Sequence, residues 1–196
     1  NGGGETTTSA ALDPAGTFFD VVDWVVLEVR DPIAPTIVLA SQACLLHRNG
    51  VVTDQAGIDA PQFSLPIGPY HIALRHRNHL GVMTAAPLEV DSITGVTVAF
   101  QLPATPTFGT NARQITGGVA CLWPGDVHQD GTIMYTGGGN DRDPILQRIG
   151  GTLPTATAFG YHQEDVNLDG AVRYTGGGND RDPMLQTIGG AVPTAV

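Results

Sequence analysis

The chain has 196 residues, 41% of them hydrophobic and only 14% charged, with 26 glycines and 14 prolines, which suits one full β-rich domain plus a smaller unit and excludes disorder throughout. Its formal net charge of -10 argues against nucleic acid as a partner, because there is no basic surface to displace counterions from phosphates. All nine basic residues are arginine, so Schiff-base chemistry and a P-loop lysine are excluded together.

The opening NGGGETTTSA is glycine-rich and without periodicity, and residues 1–16 read as an extended N-terminal arm. Such an arm either docks onto a neighbouring copy by adding a strand to its sheet edge or folds back on its own domain. Strand signals then run through residues 17–103. In VVDWVVLEVR, Val21, Asp23, Val25, Leu27 and Val29 alternate with Val22, Trp24, Val26, Glu28 and Arg30, the period-two pattern of a strand. TIVLASQACLLHR reaches Asn49-Gly50, a strong hairpin signal, before VVTD. PQFSLPI, YHIALRHR, APLEV and GVTVAFQL supply further strands. Short strands at this spacing predict a mainly β fold, with an N-terminal antiparallel, Ig-like β-sandwich. Residues 104–120, rich in Pro, Thr and Gly, read as a linker or surface crossing.

The remainder, residues 121–196, is a tandem repeat spanning 126–151 and 165–190. DVHQDGTIMYTGGGNDRDP at 126–144 returns as DVNLDGAVRYTGGGNDRDP at 165–183. Calcium takes about six to eight oxygens, and an acidic loop supplies them when alternate side chains turn inward around a glycine. The second copy presents Asp165, Asn167, Asp169 and the Ala171 carbonyl, and the first presents Asp126, His128, Asp130 and the Thr132 carbonyl. The closing ligands are expected in Asn140, Asp141 and Asp143, and in Asn179, Asp180 and Asp182. Asp143-Pro144 and Asp182-Pro183 read as a helix cap followed by proline at the first helical position. Ile145, Leu146 and Ile149, with Met184, Leu185 and Ile188, give each short helix an apolar face, and Gly150 and Gly189 end them.

These residues resemble the dockerin type I repeat, an EF-hand-like calcium loop followed by a short helix and usually duplicated. The resemblance covers residues 125–191 and rests on D-V-x-x-D-G and the duplication. It implies a small dockerin-like unit of two loop–helix repeats holding two or more Ca2+ ions. His128 departs from it, standing where an Asn or Asp oxygen is expected, and the twelfth loop position, ordinarily a carboxylate, is Gly137 or Gly176. An enlarged loop, closed by the Asn-Asp-Arg-Asp segment, is the resulting expectation.

RHRNH at 75–79 concentrates Arg75, Arg77 and His79 on one side of a strand and offers an anion or metal site, or a set of structural contacts. Trp24 and Trp123 are either sugar-stacking or core residues. Cys44 and Cys121, one in each expected unit, read as a disulfide or as two free thiols. Glu5, Glu28, Glu89 and Glu164 are scattered and no hydrolase or nucleotide motif occurs, so no enzyme is expected. No apolar run approaches the ~20 residues of a transmembrane segment, and the start at Asn1 reads as a processed, secreted chain.

The first functional expectation is a secreted, calcium-binding structural protein, a subunit of an extracellular fibre or surface assembly whose copies join through the N-terminal arm. The alternative is an adhesion or scaffold module, in which the dockerin-like unit grips a partner domain and the sandwich binds carbohydrate.

Overall fold

A computed structural model describes residues 5–12, 19–91 and 95–189. Residues 1–4, 13–18 and 190–196, parts of the arm and the tail of the second repeat, lie outside them, as do 92–94. The chain divides into two compact units, Asn1–His76 with Gly81–Cys121, and Arg77–Leu80 with Leu122–Val196. Residues 77–80 thus belong to the second unit although they follow a strand of the first. Among the described residues no helix is long and apolar enough to cross a membrane.

The first unit is mainly β. Its strands are β1 (Val21–Arg30), β2 (Val38–His47), β3 (Val52–Thr53), β4 (Gly68–His76), β5 (Val82–Met83) and β6 (Leu88–Val90). They form one antiparallel sheet in the order β3-β2-β1-β4-β5, with β6 pairing the start of β4. β1 is central: Val25 lies between Cys44 and His76, and Val29 between Ala40 and Ile72. Neighbouring residues of a strand point to opposite faces, and Cys44 and Leu45 are both fully buried, so the sheet is covered on each side here. Against Leu45 lies the 54–59 loop, in which the Asp54 carboxylate accepts the N–H groups of Ala56, Ile58 and Asp59. Gly57, at φ 79°, turns that loop, and a Cβ there would sit 3.6 Å from Leu45 and 3.3 Å from Ala11. Residues 5–12 are tied to the same loop by the Thr7 hydroxyl, which donates to the Gln55 carbonyl at 2.6 Å.

Two strand expectations fail and one unforeseen hairpin forms. PQFSLPI carries no strand, because Pro61 and Pro66 lack the N–H a ladder needs. GVTVAFQL, from Gly95 onward, is also without strand. There the Phe100, Leu102 and Thr105 carbonyls are instead taken by the Arg113 guanidinium. Within the expected linker, β7 (Gln114–Thr116) and β8 (Val119–Cys121) pair antiparallel. Gly117 and Gly118 join them with φ 59° and 82°, the left-handed pair a tight hairpin turn demands. Cys44 and Cys121 both lie in this unit as free thiols, and burial pushes the Cys44 thiol up to about 11.

The second unit holds α1 (Arg142–Arg148), β9 (Thr157–Phe159), β10 (Ala171–Arg173) and α2 (Arg181–Thr187). Its core joins the two repeats: Val127, Ile133, Ile145 and Ile149 pack with Val166, Val172 and Met184, and Leu80, Trp123 and both repeat tyrosines lie against them. A helix of two turns is marginal alone, so this shared core is what holds each in place. Gly150 and Gly189, at φ 104° and 98°, end the helices as read. Their starts differ from the sequence expectation. Asp141 and Asp180, not Asp143 and Asp182, occupy the cap positions, which sets each proline at the third helical residue. Proline is tolerated there because the first-turn N–H groups have no helical partner to lose.

Candidate functional site

Each repeat folds its acidic loop around two buried aspartates. In the first, the Asp126 carboxylate accepts the N–H groups of Asp130 and Gly131 at 3.0 and 3.1 Å. Asp141 reaches back from the helix start and accepts those of His128 and Met134 at 3.0 and 2.8 Å. In the second, Asp165 accepts from Asp169 and Gly170 at 3.1 and 3.0 Å, and Asp180 from Val166, Asn167 and Arg173. All four aspartates are no more than 2% exposed. The backbone is locked alongside: Asp141 N–H donates to the Met134 carbonyl, and Asp180 N–H to that of Arg173.

Charge at these pairs is costly. Burial, with the Asp141 charge adding to it, pushes the Asp126 carboxyl up to about 6, and burial raises Asp141 as well. In the second repeat burial, with Asp165 contributing, pushes Asp180 up to about 6. Main-chain N–H groups offset part of the penalty. Each loop therefore presents a negative, desolvated pair.

The other expected ligands divide between this cradle and the helix start. Thr132 and Ala171 give their N–H groups to Asp130 and Asp169, each at 2.9 Å. The Asn167 side-chain oxygen accepts from Asp169 N–H at 2.9 Å, and its amide donates to the Gly178 carbonyl. The His128 ring lies 3.1 Å from the Asn140 carbonyl. Asn140 and Asn179 do the work expected of a helix cap. Their side-chain oxygens accept the Asp143 and Asp182 N–H groups at 3.0 and 3.2 Å. Their amides bind the Gly137 and Gly176 carbonyls and, at 2.9 Å, the Asp143 and Asp182 carboxylates. Asp143 is half-exposed, paired with Arg142 at 3.0 Å, and its carboxyl is held below the usual range by Asn140 and Arg142. Arg142 and Arg181 stand over the Tyr135 and Tyr174 rings at 5.4 and 4.3 Å.

The cradles are not identical. Arg173 pairs with Asp169 at 2.5 Å, where the first repeat has Met134. The Arg77 guanidinium lies 3.8 Å from the Asp165 carboxylate, donates to the His162 carbonyl and stands 4.3 Å over the Tyr161 ring. Beside it, Asn78 is fully buried and gives its amide to the Gln163 and Asp165 carbonyls at 2.9 and 2.6 Å. Its own carbonyl accepts Gly125 N–H, and Gln129 donates to the Arg77 carbonyl at 2.8 Å. Within RHRNH the contacts of His76, Arg77 and Asn78 are structural: His76 bonds buried Asp23 at 3.1 Å, and Arg77 and Asn78 brace the second loop. The role of Asn78 had no sequence signal, since its partners lie 85 and 87 positions away.

No family model, curated protein or solved structure matches the chain. The functional reading therefore stands on the loops themselves. Among the described residues no group of three or more His, Cys, Asp and Glu side chains is placed to hold a metal ion. The donor chemistry still suits a hard cation, because such an ion takes main-chain carbonyls, amide oxygens and water besides carboxylates. The facing pairs Asp126/Asp141 and Asp165/Asp180 carry the charge it would neutralise.

Proposed function

We propose that the chain is a secreted calcium-binding structural protein, a subunit of an extracellular fibre or surface assembly, whose C-terminal unit is a dockerin-like pair of loops braced by Ca2+. The observation that carries this reading is the buried aspartate pair in each repeat, set in the D-x-x-x-D-G loop. Asp126 and Asp141 would hold one ion, and Asp165 and Asp180 the other, with main-chain carbonyls, amide oxygens and water completing each shell. The ion supplies positive charge where burial and like-charge repulsion raise Asp126 and Asp180, so its binding is mainly folding energy. The Ig-like sandwich is the proposed elaboration of the six-stranded sheet. For the arm between copies, its described part, residues 5–12, rests on its own unit through Thr7 and Ala11, which favours a joint elsewhere on the molecule.

The adhesion-module alternative draws its support from the helix residues turned away from the core, Gln147, Arg148, Gln186 and Thr187. Two of these are engaged within the unit: Arg148 pairs with Glu164 at 2.9 Å, and the Thr187 hydroxyl donates to the Pro124 carbonyl. The structural reading is therefore preferred. Calorimetric titration of the chelator-treated chain with CaCl2 tests it. Two saturable sites in the native chain, one lost in Asp126→Asn and the other in Asp165→Asn, are expected. Absence of calcium heat, with no change in thermal midpoint at millimolar calcium, would sink the reading.

A further inference from the structure

We infer that the open edge of β2 is an interface at which two copies of the chain pair, strand against strand, about a twofold axis at Ser41. This inference goes beyond the calcium reading and does not depend on it.

β2 is ten residues long, but β3 covers its outer side only at Leu45 and Leu46. Among the described residues, no main-chain hydrogen bond reaches the outer side of residues 38–44. The direction of the free groups follows from the hairpin. His47 N–H donates to the Val51 carbonyl on the β3 side, and alternate residues of a strand point their N–H and C=O the same way. Ser41 and Ala43 therefore aim theirs away from β1. Such an edge is a template for another strand.

The protections usual at edges are sparse on this one. No charged residue occurs from Pro32 to Leu46, and Val38 and Leu39 are 43% and 42% exposed beside exposed Ile37. The β1–β2 ladder shifts register twice, between Val21 and Asp23 beyond the open stretch, and between Val29 and Arg30 at its far end, where Leu39 is left as the extra residue of a bulge.

Three features choose a second copy as the occupant. First, the free groups are main-chain N–H and C=O on an extended strand, which only another strand matches in spacing. Second, the opening is the length of what would fill it. It is blocked on one side by β3 at Leu45, and β2 begins at Val38 after the turn in which Ile37 N–H donates to the Ala34 carbonyl. Antiparallel pairing centred on Ser41 sets Val38 of one copy against Cys44 of the other and stops short of β3. Third, the pairing is electrostatically permitted: each copy carries a net charge of -10, yet the seam brings no two charges together. At its centre each Ser41 exchanges its N–H and C=O with the other, and Ala43 continues the ladder toward the bulge. The two sheets become one.

Sedimentation equilibrium of the full chain over a wide concentration range tests this, in calcium and in chelator. The expected result is a species of twice the chain mass in both buffers, because β2 lies in the unit without the calcium loops. Ser41→Lys puts two like charges face to face at the axis on an already exposed side chain, and Ser41→Pro removes only an N–H that points away from β1. Each is expected to weaken the dimer about tenfold or more while leaving the circular dichroism of the monomer unchanged. A chain that is monomeric at every concentration overturns the inference. So does a dimer that both variants leave intact, or one that chelator abolishes. Loss of calcium binding with a persisting dimer would fail the calcium reading alone.

Discussion

Replacing Asn78 by alanine should unfold the second unit more readily than any single loop carboxylate does. Its amide serves the Gln163 carbonyl at 2.9 Å and the Asp165 carbonyl at 2.6 Å, and its side-chain oxygen lies 2.7 Å from the His79 ring nitrogen. At 0% exposure water does not replace the lost amide. The buried Asp165 carbonyl would keep only Arg77 at 3.5 Å, a loss of about 1–3 kcal/mol, and with the small void the change amounts to roughly 2–4 kcal/mol, a large share of the stability of a small unit. Urea unfolding followed by Trp123 fluorescence reads this directly, in a Trp24→Phe background, because Trp123 packs on the second core whereas Trp24 lies in β1. The Trp123 transition should move to markedly lower urea with its slope unchanged. A loss below about 1 kcal/mol would refute the argument that residues 77–80 hold the two acidic loops together.

Ile145→Ala empties a fully buried position in the shared core and should cost about 2–5 kcal/mol in the same urea assay. Gly125→Ala places a Cβ 2.8 Å from Met184 Cγ and 3.1 Å from Ile133 at φ 125°, and should lower the second unit's thermal midpoint, a loss on the order of 2–3 kcal/mol. Calcium-free protein should lose stability as pH rises from about 4 to about 6. Asp126 and Asp180 are raised in the folded chain from 3.8 to about 6, so the native state binds the extra protons, and each group costs roughly 3 kcal/mol once both states are ionised. A urea-midpoint series across pH in chelator checks this, and an unchanged midpoint would contradict it. In saturating calcium the fall should vanish, and at a hundred times the dissociation constant the ion adds about 2.7 kcal/mol.

The duplication was legible because YTGGGNDRDP is written twice, and the apolar positions of the two helices followed from their spacing. Asp126 and Asp165 declared themselves by the D-x-x-x-D-G pattern. The helix start was misplaced by two residues, since proline's preference for the first helical position outweighed the side-chain bond that Asn140 makes to Asp143 N–H. The Gly117-Gly118 turn was hidden by its Pro/Thr-rich surroundings. Arg77 and Asn78 read as the end of a strand, and their task depends on residues more than 80 positions onward, a distance over which local periodicity is silent.

The excursion of residues 77–80 into the second unit makes that unit indivisible from the rest of the gene. A cassette cut at Leu122 and grafted onto another protein would carry both acidic loops and yet lack Arg77, Asn78 and Leu80. During synthesis those residues emerge first and must wait, sequestered or solvated, until the second repeat arrives to receive them. A protease cut between His76 and Gly81 would therefore strike both halves of the protein at once.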